Sequence, residues 1–375
     1  MKLVNLELTN FRNYQNLKLD FHPNLNIFLG QNAQGKTNIL ESIYFLALTR
    51  SHRTSTDKDL IGWSDKNMEV AGLIQKKVTK TPLQINMTKQ GRTVKINHLK
   101  QPRLADYIGQ MNVIMFAPED LEIIKGSPSI RRRFIDMEIG QIKPIYLYDT
   151  IRYNKILKER NAYLKFDRKQ IDTTYLAVLD DQLIEYGSKI IKQRIDFVKK
   201  LESISQDLHF KLSHELENLT ISYKSNIQLD SLENIQLADI ETEFRNQLSQ
   251  IQDKEILRHQ SLIGPHKDDL AFFVNNINVG DFGSQGQQRT TALSVRLAEI
   301  DLIYEETGEY PILLLDDVMS ELDNTRQLDL LDTIKDKAQT FITTTSLNHL
   351  QNLPENLQIF QVANGKIEQE KRDSL

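Results

Sequence analysis

Gly30-Gln31-Asn32-Ala33-Gln34-Gly35-Lys36-Thr37 fits the phosphate-binding pattern G-x-x-x-x-G-K-[ST], and its flanks complete the reading. Leu25-Asn-Ile-Phe-Leu29 before it has the texture of a buried strand. Asn38-Ile-Leu-Glu-Ser-Ile-Tyr-Phe-Leu46 after it has helical spacing. Gly30 and Gly35 permit the tight backbone in which successive N–H groups cradle phosphate oxygens. Those donors then sit at the positive end of the following helix. In such a loop the lysine, Lys36, reaches the β- and γ-phosphates, and the Thr37 hydroxyl binds Mg²⁺. The stretch predicts a nucleoside triphosphate site.

A second half of that site lies far downstream. Pro311-Ile-Leu-Leu-Leu-Asp-Asp317 is an apolar run ending in two carboxylates. All-apolar strands are buried on both faces, as in the centre of a parallel sheet, and ligands bind at the carboxyl edge of such sheets. Asp316 is then placed to hold Mg²⁺ opposite Thr37, and Asp317 to position or deprotonate an attacking water. Phe282-Gly-Ser-Gln-Gly-Gln-Gln-Arg289 precedes another helical pattern, Thr291 to Ile300. Ser284 suits an N-cap and Gly286 allows close backbone approach, so this helix start is a candidate for a second phosphate contact. The run Thr340 to Ser346 predicts a further strand whose end could reach the γ-phosphate.

The composition bounds the rest. The 375 residues are 26% charged and 39% hydrophobic with a net charge of −4, an ordinary globular balance long enough for two lobes. Without cysteine there are no disulfides, thiolate metal sites or cysteine nucleophiles. No apolar run reaches membrane-span length and Met1 to Leu8 alternates like a strand, so the expected compartment is the cytoplasm. The small net charge hides local excess. Lys76, Lys77, Lys80, Lys89, Arg92, Lys95, Lys100 and Arg103 follow one another with no Asp or Glu between them. Arg131-Arg132-Arg133 opens a predicted helix, and a third basic stretch runs from Arg152 to Lys169. A solvated face is the bland account of any one of them. Together they point to phosphate binding, and sparse aromatic interleaving in the first favours duplex-backbone contact over base stacking.

Organisation follows from texture. Short strands are expected near 2–8, 16–21, 25–29, 68–75, 82–88, 92–96 and 112–116. From Ser127 to Gln250 the pattern turns helical, its longest stretch running from Leu176 to Leu212 with a shift of the apolar stripe at Arg194. Strand signals return at Leu270 to Val279. The fold class read from this is α/β: a mixed-sheet lobe built from residues 1–120 and 255–375, interrupted by a mainly helical insertion at 121–254.

These parts in this order resemble the ABC-type ATPase heads of the structural-maintenance-of-chromosomes and recombination-repair group. Beyond the P-loop, the resemblance rests on Leu8-Thr-Asn-Phe-Arg-Asn-Tyr14, Phe116-Ala-Pro-Glu-Asp120, Lys125 to Phe134, Gly264-Pro-His-Lys-Asp-Asp-Leu270, Ser284-Gln-Gly-Gln-Gln288 and Leu313 to Asp317. It implies a weak, DNA-dependent ATPase that binds gaps or single-strand–duplex junctions as an ATP-induced homodimer. It also implies partner mediators of the RecR and RecO type and help in loading the RecA recombinase. In these heads the loop matching Ser284, Gly286 and Gln287 contacts, in trans, the γ-phosphate held by the partner's P-loop. Arg12 matches an arginine near the nucleotide, and Asp323 falls in the loop that lies across the dimer. The chain departs from the pattern in two places. Asp317 stands where the catalytic glutamate is usual, a shorter reach suited to slow hydrolysis, and Thr344-Thr345 stand where transporter heads carry a switch histidine. No Q-loop glutamine is evident near Phe116 to Glu119. The competing readings are a structural DNA organiser, whose long arms this insertion is too short to supply, and a self-contained P-loop kinase, which has no use for the Ser284 loop.

Overall fold

The computed structural model describes residues 1–54, 56–63, 65–320, 324–334, 337–347 and 357–370. Asp323 lies outside them. The chain divides into two compact units, the first Met1–Asp120 with Arg296–Leu375 and the second Leu121–Val295.

The first unit holds two six-stranded sheets. One is antiparallel, ordered β2-β1-β4-β5-β6-β7, from Lys2–Phe11 (β1), Tyr14–Asp20 (β2), Asn67–Gln75 (β4), Lys80–Thr88 (β5), Gly91–Ile96 (β6) and Leu99–Lys100 (β7). Its strands alternate buried and exposed residues, as a sheet with one wet face must. The other is ordered β15-β14-β3-β13-β12-β8, from Leu25–Leu29 (β3), Val113–Phe116 (β8), Ile312–Asp316 (β12), Thr340–Thr344 (β13), Leu357–Ala363 (β14) and Lys366–Glu370 (β15). All its pairings are parallel except the β14–β15 edge. Strands β8, β12 and β13 are buried along their whole length, as the apolar run before Asp316 predicts. The helix Lys36–Leu48 (α1) touches strands of both sheets. It is buried on every side from Ile39 to Leu48, so Glu41 and Ser42 are buried with it.

The second unit carries Pro128–Ile142 (α2), Pro144–Tyr163 (α3), Thr173–Leu212 (α4), Leu237–Arg258 (α5) and the first turns of Gln285–Thr307 (α6). Helix α4 spans ~60 Å at 1.5 Å per residue, and Asp172 caps it by accepting the Thr174 N–H at 2.8 Å. The stripe shift at Arg194 has a cause. Arg194 faces inward and donates to Asp136 Oδ1 and to Pro265 O, both at 2.7 Å. The expected return to the first lobe at residue 255 is corrected to 296. Strand Asp269–Val274 (β10) pairs along its full length with Leu219–Lys224 (β9), completing a small sheet with Ile277–Asn278 (β11). A strand cannot leave the unit that holds its hydrogen-bond partner. Leu219, Ile221 and Tyr223 of β9 alternate with Thr220, Ser222 and Lys224 as a half-buried strand does, a short signal masked by the helical texture on either side.

Candidate nucleotide site

Parallel register builds the site in the first unit. Leu29 of β3 pairs with Thr344 of β13, whose Thr343 pairs with Asp316 of β12. The P-loop after β3 and the carboxylates ending β12 therefore emerge at one sheet edge, two strands or roughly 10 Å apart.

The loop is tightly held. A Cβ on Gly30 would lie 2.3 Å from Val362 O, so only glycine fits there. Gly35 caps α1 at φ 111, where a Cβ would also meet Asn13 and Tyr14, and Ala33 too is left-handed at φ 64. Tyr14 donates to Gly35 O at 3.1 Å, and the turn after β14 donates its Asn364 N–H to Gln34 Oε1 at 2.6 Å. Lys36 Nζ curls onto the carbonyls of Gly30 and Gln31 at 2.6 and 2.9 Å. Burial lowers its pKa, while the charges of Asp317 and Asp316 work to raise it. Gln31 and Asn32 are exposed at the tip.

Thr37 Oγ1 donates to Asp316 Oδ1 at 3.0 Å, the contact that unites the two motifs. Thr343 Oγ1 donates to the same oxygen at 2.7 Å and accepts the Asp317 N–H at 2.9 Å. Asp317 is left-handed at φ 54, which turns it out of the strand line away from buried Asp316. Thr343 was missed by sequence reasoning, which stopped at Thr344-Thr345; alternation along β13 decides that Thr343 meets the carboxylates. Thr344 instead donates to Ser346 O at 2.9 Å, and Thr345 is exposed. The hydroxyl of Thr37 and the carboxylate of Asp316 are hard oxygen donors. Mg²⁺ fits such a pair, because it keeps several waters and completes its shell with substrate phosphates.

Arg12 is committed locally. It is left-handed at φ 53, grips Glu41 through Nε and Nη2 at 2.9 and 2.7 Å, and donates to Asp59 O at 2.7 Å. Burial pushes the Glu41 carboxyl up, but hydrogen bonds from Arg12 and Ser51 hold it below its ordinary value. Arg12 also lines a cavity of about 650 Å³ with Lys58, Lys89 and the exposed Trp63, which no motif announced. His52, packed edge-on against Tyr44 at 5.3 Å, was likewise missed; burial lowers its pKa against the charges of Glu41 and Asp316.

The Ser284 loop belongs to the second unit. Ser284 Oγ accepts the Gln287 N–H at 3.2 Å and Gln287 Oε1 accepts the Ser284 N–H at 3.0 Å, a reciprocal capping box. The nearest atom to a Cβ on Gly286 would be Ser284 Oγ at 3.8 Å, so the glycine is not demanded by internal packing. Phe282 beside it is 79% exposed.

The basic residues divide. Arg92 is half-buried between Thr49 O and Asp57. Arg131 holds Asp269 bidentately at 2.7 and 2.8 Å, and Arg132 donates to Asp268 O at 2.7 Å. The Gly264-Pro-His-Lys-Asp-Asp motif is therefore an internal anchor for Arg131 and Arg132. Lys76 is half-buried and its pKa lowered by that burial, with Glu309 opposing. Lys77, Lys89 and Arg133 are exposed, and Lys95 stands directly opposite Lys100 across β6 and β7.

The family model RecF/RecN/SMC N terminal domain matches residues 2–368. The DNA replication and repair protein RecF of Lactococcus lactis subsp. cremoris MG1363 is 62% identical over 371 residues, covering 99% of this chain and all of that one. The chain belongs to the RecF family. RecF of Streptococcus pneumoniae ATCC 700669 is 57% identical, with 98% of each chain covered. A solved structure of the recombination mediator protein RecF with ATP in the RecFOR pathway superposes with a TM-score of 0.91 at 32% identity, covering 99% of this chain and 98% of that one. An Smc head bound to the C-winged helix domain of ScpA, 15% identical over 100% of this chain and 98% of its own at a TM-score of 0.56, shares the fold. The fold is that of an SMC-related ABC-type ATPase head. Among the described residues no helix is long and apolar enough to cross a membrane.

Proposed function

We propose that this chain is an ATP-driven DNA clamp of recombinational repair and replication maintenance, working in the cytoplasm. The observation that carries the reading is the Thr37–Asp316 contact, made across β13 at one edge of the parallel sheet, which brings the two motifs together in one unit. Gly30 to Thr37 hold the triphosphate of ATP. Thr37 and Asp316 would hold Mg²⁺, which when bound offsets charge on the phosphates. Asp317 takes a proton from, or orients, the attacking water. Arg12 acts through Glu41, bracing α1 behind the loop. Ser284 and Gly286 close over the nucleotide of a second copy, so each complete site needs two chains. Gly286 leaves the backbone of the first helical turn uncovered, which suits close approach by a group from outside the chain. The homodimer grips DNA at single-strand gaps or duplex junctions, hydrolysis is slow and DNA-stimulated, and mediators of the RecR and RecO type use the complex to load RecA.

Ser284→Arg tests the two-chain site. A bulky cation there is expected to block dimerisation yet leave ATP binding by the monomer nearly unchanged. Lys36→Arg should also be inactive, since a planar guanidinium fits the loop poorly. In a mixture of the two, one composite site pairs an intact P-loop with an intact Ser284 loop, and some ATPase activity should return. Wild-type hydrolysis by monomeric Ser284→Arg would favour the self-contained kinase instead.

Internal commitments of Arg92, Arg131 and Arg132 move the DNA contact toward Lys77, Lys89, Lys95 and Lys100. Like charges opposed across strands are unfavourable alone, and a phosphate backbone would relieve them. Reversing Lys89, Lys95 and Lys100 to glutamate is expected to weaken duplex binding and flatten its salt dependence, the slope falling by about 0.9 for each phosphate no longer neutralised. An unchanged salt slope returns this face to a solvated role.

A further inference from the structure

Helix α4 ends in an unusual turn. His214 and Glu215 are both left-handed, at φ 53 and 66, although neither is glycine. Two such residues in succession reverse the chain sharply and return Glu217 to the start of α6. Ser213 Oγ holds it there by accepting the Glu217 N–H at 3.2 Å. Both carboxylate oxygens of Glu217 are engaged. Oε1 accepts from Gln287 Nε2 at 2.9 Å, and Oε2 lies 3.2 Å from Nε2 of fully buried His209. The other ring nitrogen of His209 is 3.1 Å from Ser294 Oγ. Ser294 Oγ is also 2.7 Å from Thr290 O, so its one proton serves either that carbonyl or His209, and Thr290 donates to Gly286 O at 2.9 Å. Gly286, Thr290 and Ser294 recur every four residues, so they share one face of the helix. The hydrogen bonds thus run down α6, across to α4 through His209, and back to the loop through Glu217.

We propose that Glu217, backed by His209, is the positioning residue of the Ser284 loop, and that Gln287 is the lever through which it acts. The carboxamide oxygen of Gln287 is taken by the Ser284 N–H and one of its two N–H donors by Glu217, which fixes the orientation of the amide. Ser284 Oγ accepts one bond and keeps its own proton for an outside acceptor, and the Gly286 backbone is exposed. Glu217 therefore fixes the orientation in which those two groups meet a partner's nucleotide. This inference rests on the two-chain site above.

The test uses the full chain with ATP, Mg²⁺ and duplex DNA, reading dimer formation by light scattering, monomer binding of a fluorescent ATP analogue, and hydrolysis. Glu217→Ala is expected to weaken ATP-driven dimerisation about tenfold or more, as loss of a charged hydrogen-bond acceptor predicts. Monomer binding of the analogue should not move. Glu217→Gln keeps an amide oxygen for Gln287 and is expected to retain most of the dimerisation. Mixing Glu217→Ala with Lys36→Arg should restore activity, as a defect confined to the Ser284 side requires. Wild-type dimerisation by Glu217→Ala, or equal loss of monomer binding and dimerisation, overturns the assignment. Ser284→Arg run alongside separates the failures. If it hydrolyses ATP normally as a monomer, the two-chain site is wrong; if it fails while Glu217→Ala is normal, only the role of Glu217 is.

Discussion

Arg160→Met is expected to destabilise the second unit by about 3–5 kcal/mol, the range for breaking a buried ion pair by removing one partner. Arg160 is fully buried, with Nε 2.6 Å from Asp180, Nη1 2.8 Å from Ser261 and Nη2 2.7 Å from the equally buried Glu255. The Nη2–Glu255 approach is a charge contact whose hydrogen bond is poorly aligned, so removing the charge matters more than removing a bond. Methionine fills much of the volume but strands two carboxylates. Burial already raises the Glu255 pKa, with Arg160 opposing, and the substitution removes that opposition. A carboxyl whose pKa is raised on folding adds stability below its unfolded value and loses it as pH rises through the folded value. The variant should therefore recover part of its melting temperature as pH falls from neutral toward about 5, more than wild type does. Thermal unfolding across that range decides it. A penalty independent of pH would assign the loss to packing alone.

Asp317→Asn is expected to slow single-turnover hydrolysis about a hundredfold or more, the contribution of a general base, while nucleotide affinity stays near wild type. Asn tolerates the left-handed backbone that Asp317 adopts, and the N–H held by Thr343 is unchanged, so the fold should not respond. Thr37 and Asp316 remain to hold the metal. Near-normal hydrolysis with weakened nucleotide binding would transfer Asp317 to metal binding and place the base elsewhere.

Strand–loop–helix around Gly30 to Thr37 and the apolar run into Asp316 were legible because local periodicity and a motif agreed at each place. The small sheet in the second unit was not, because β9 has partners only through β10, about fifty residues later in the chain. The fate of the arginines was equally hidden. Arg92, Arg131 and Arg132 look like a basic patch along the chain, yet each faces an acceptor brought from a distant segment. Thr343 and Glu217 carry no motif, and only strand register and a turn of two left-handed residues give them meaning.

The functional groups on offer were readable along the chain: glycines that admit close backbone approach, a lysine and a hydroxyl beside them, and carboxylates at the end of a buried strand. Those demands are local, since backbone freedom and side-chain functional groups are properties of single residues and their neighbours. Tertiary structure alone decided which charges are spent inside and which are left to act. Pairing and burial depend on groups that meet only after the chain has crossed between strands, and a charge whose partner comes from a hundred residues away has no signature where it stands.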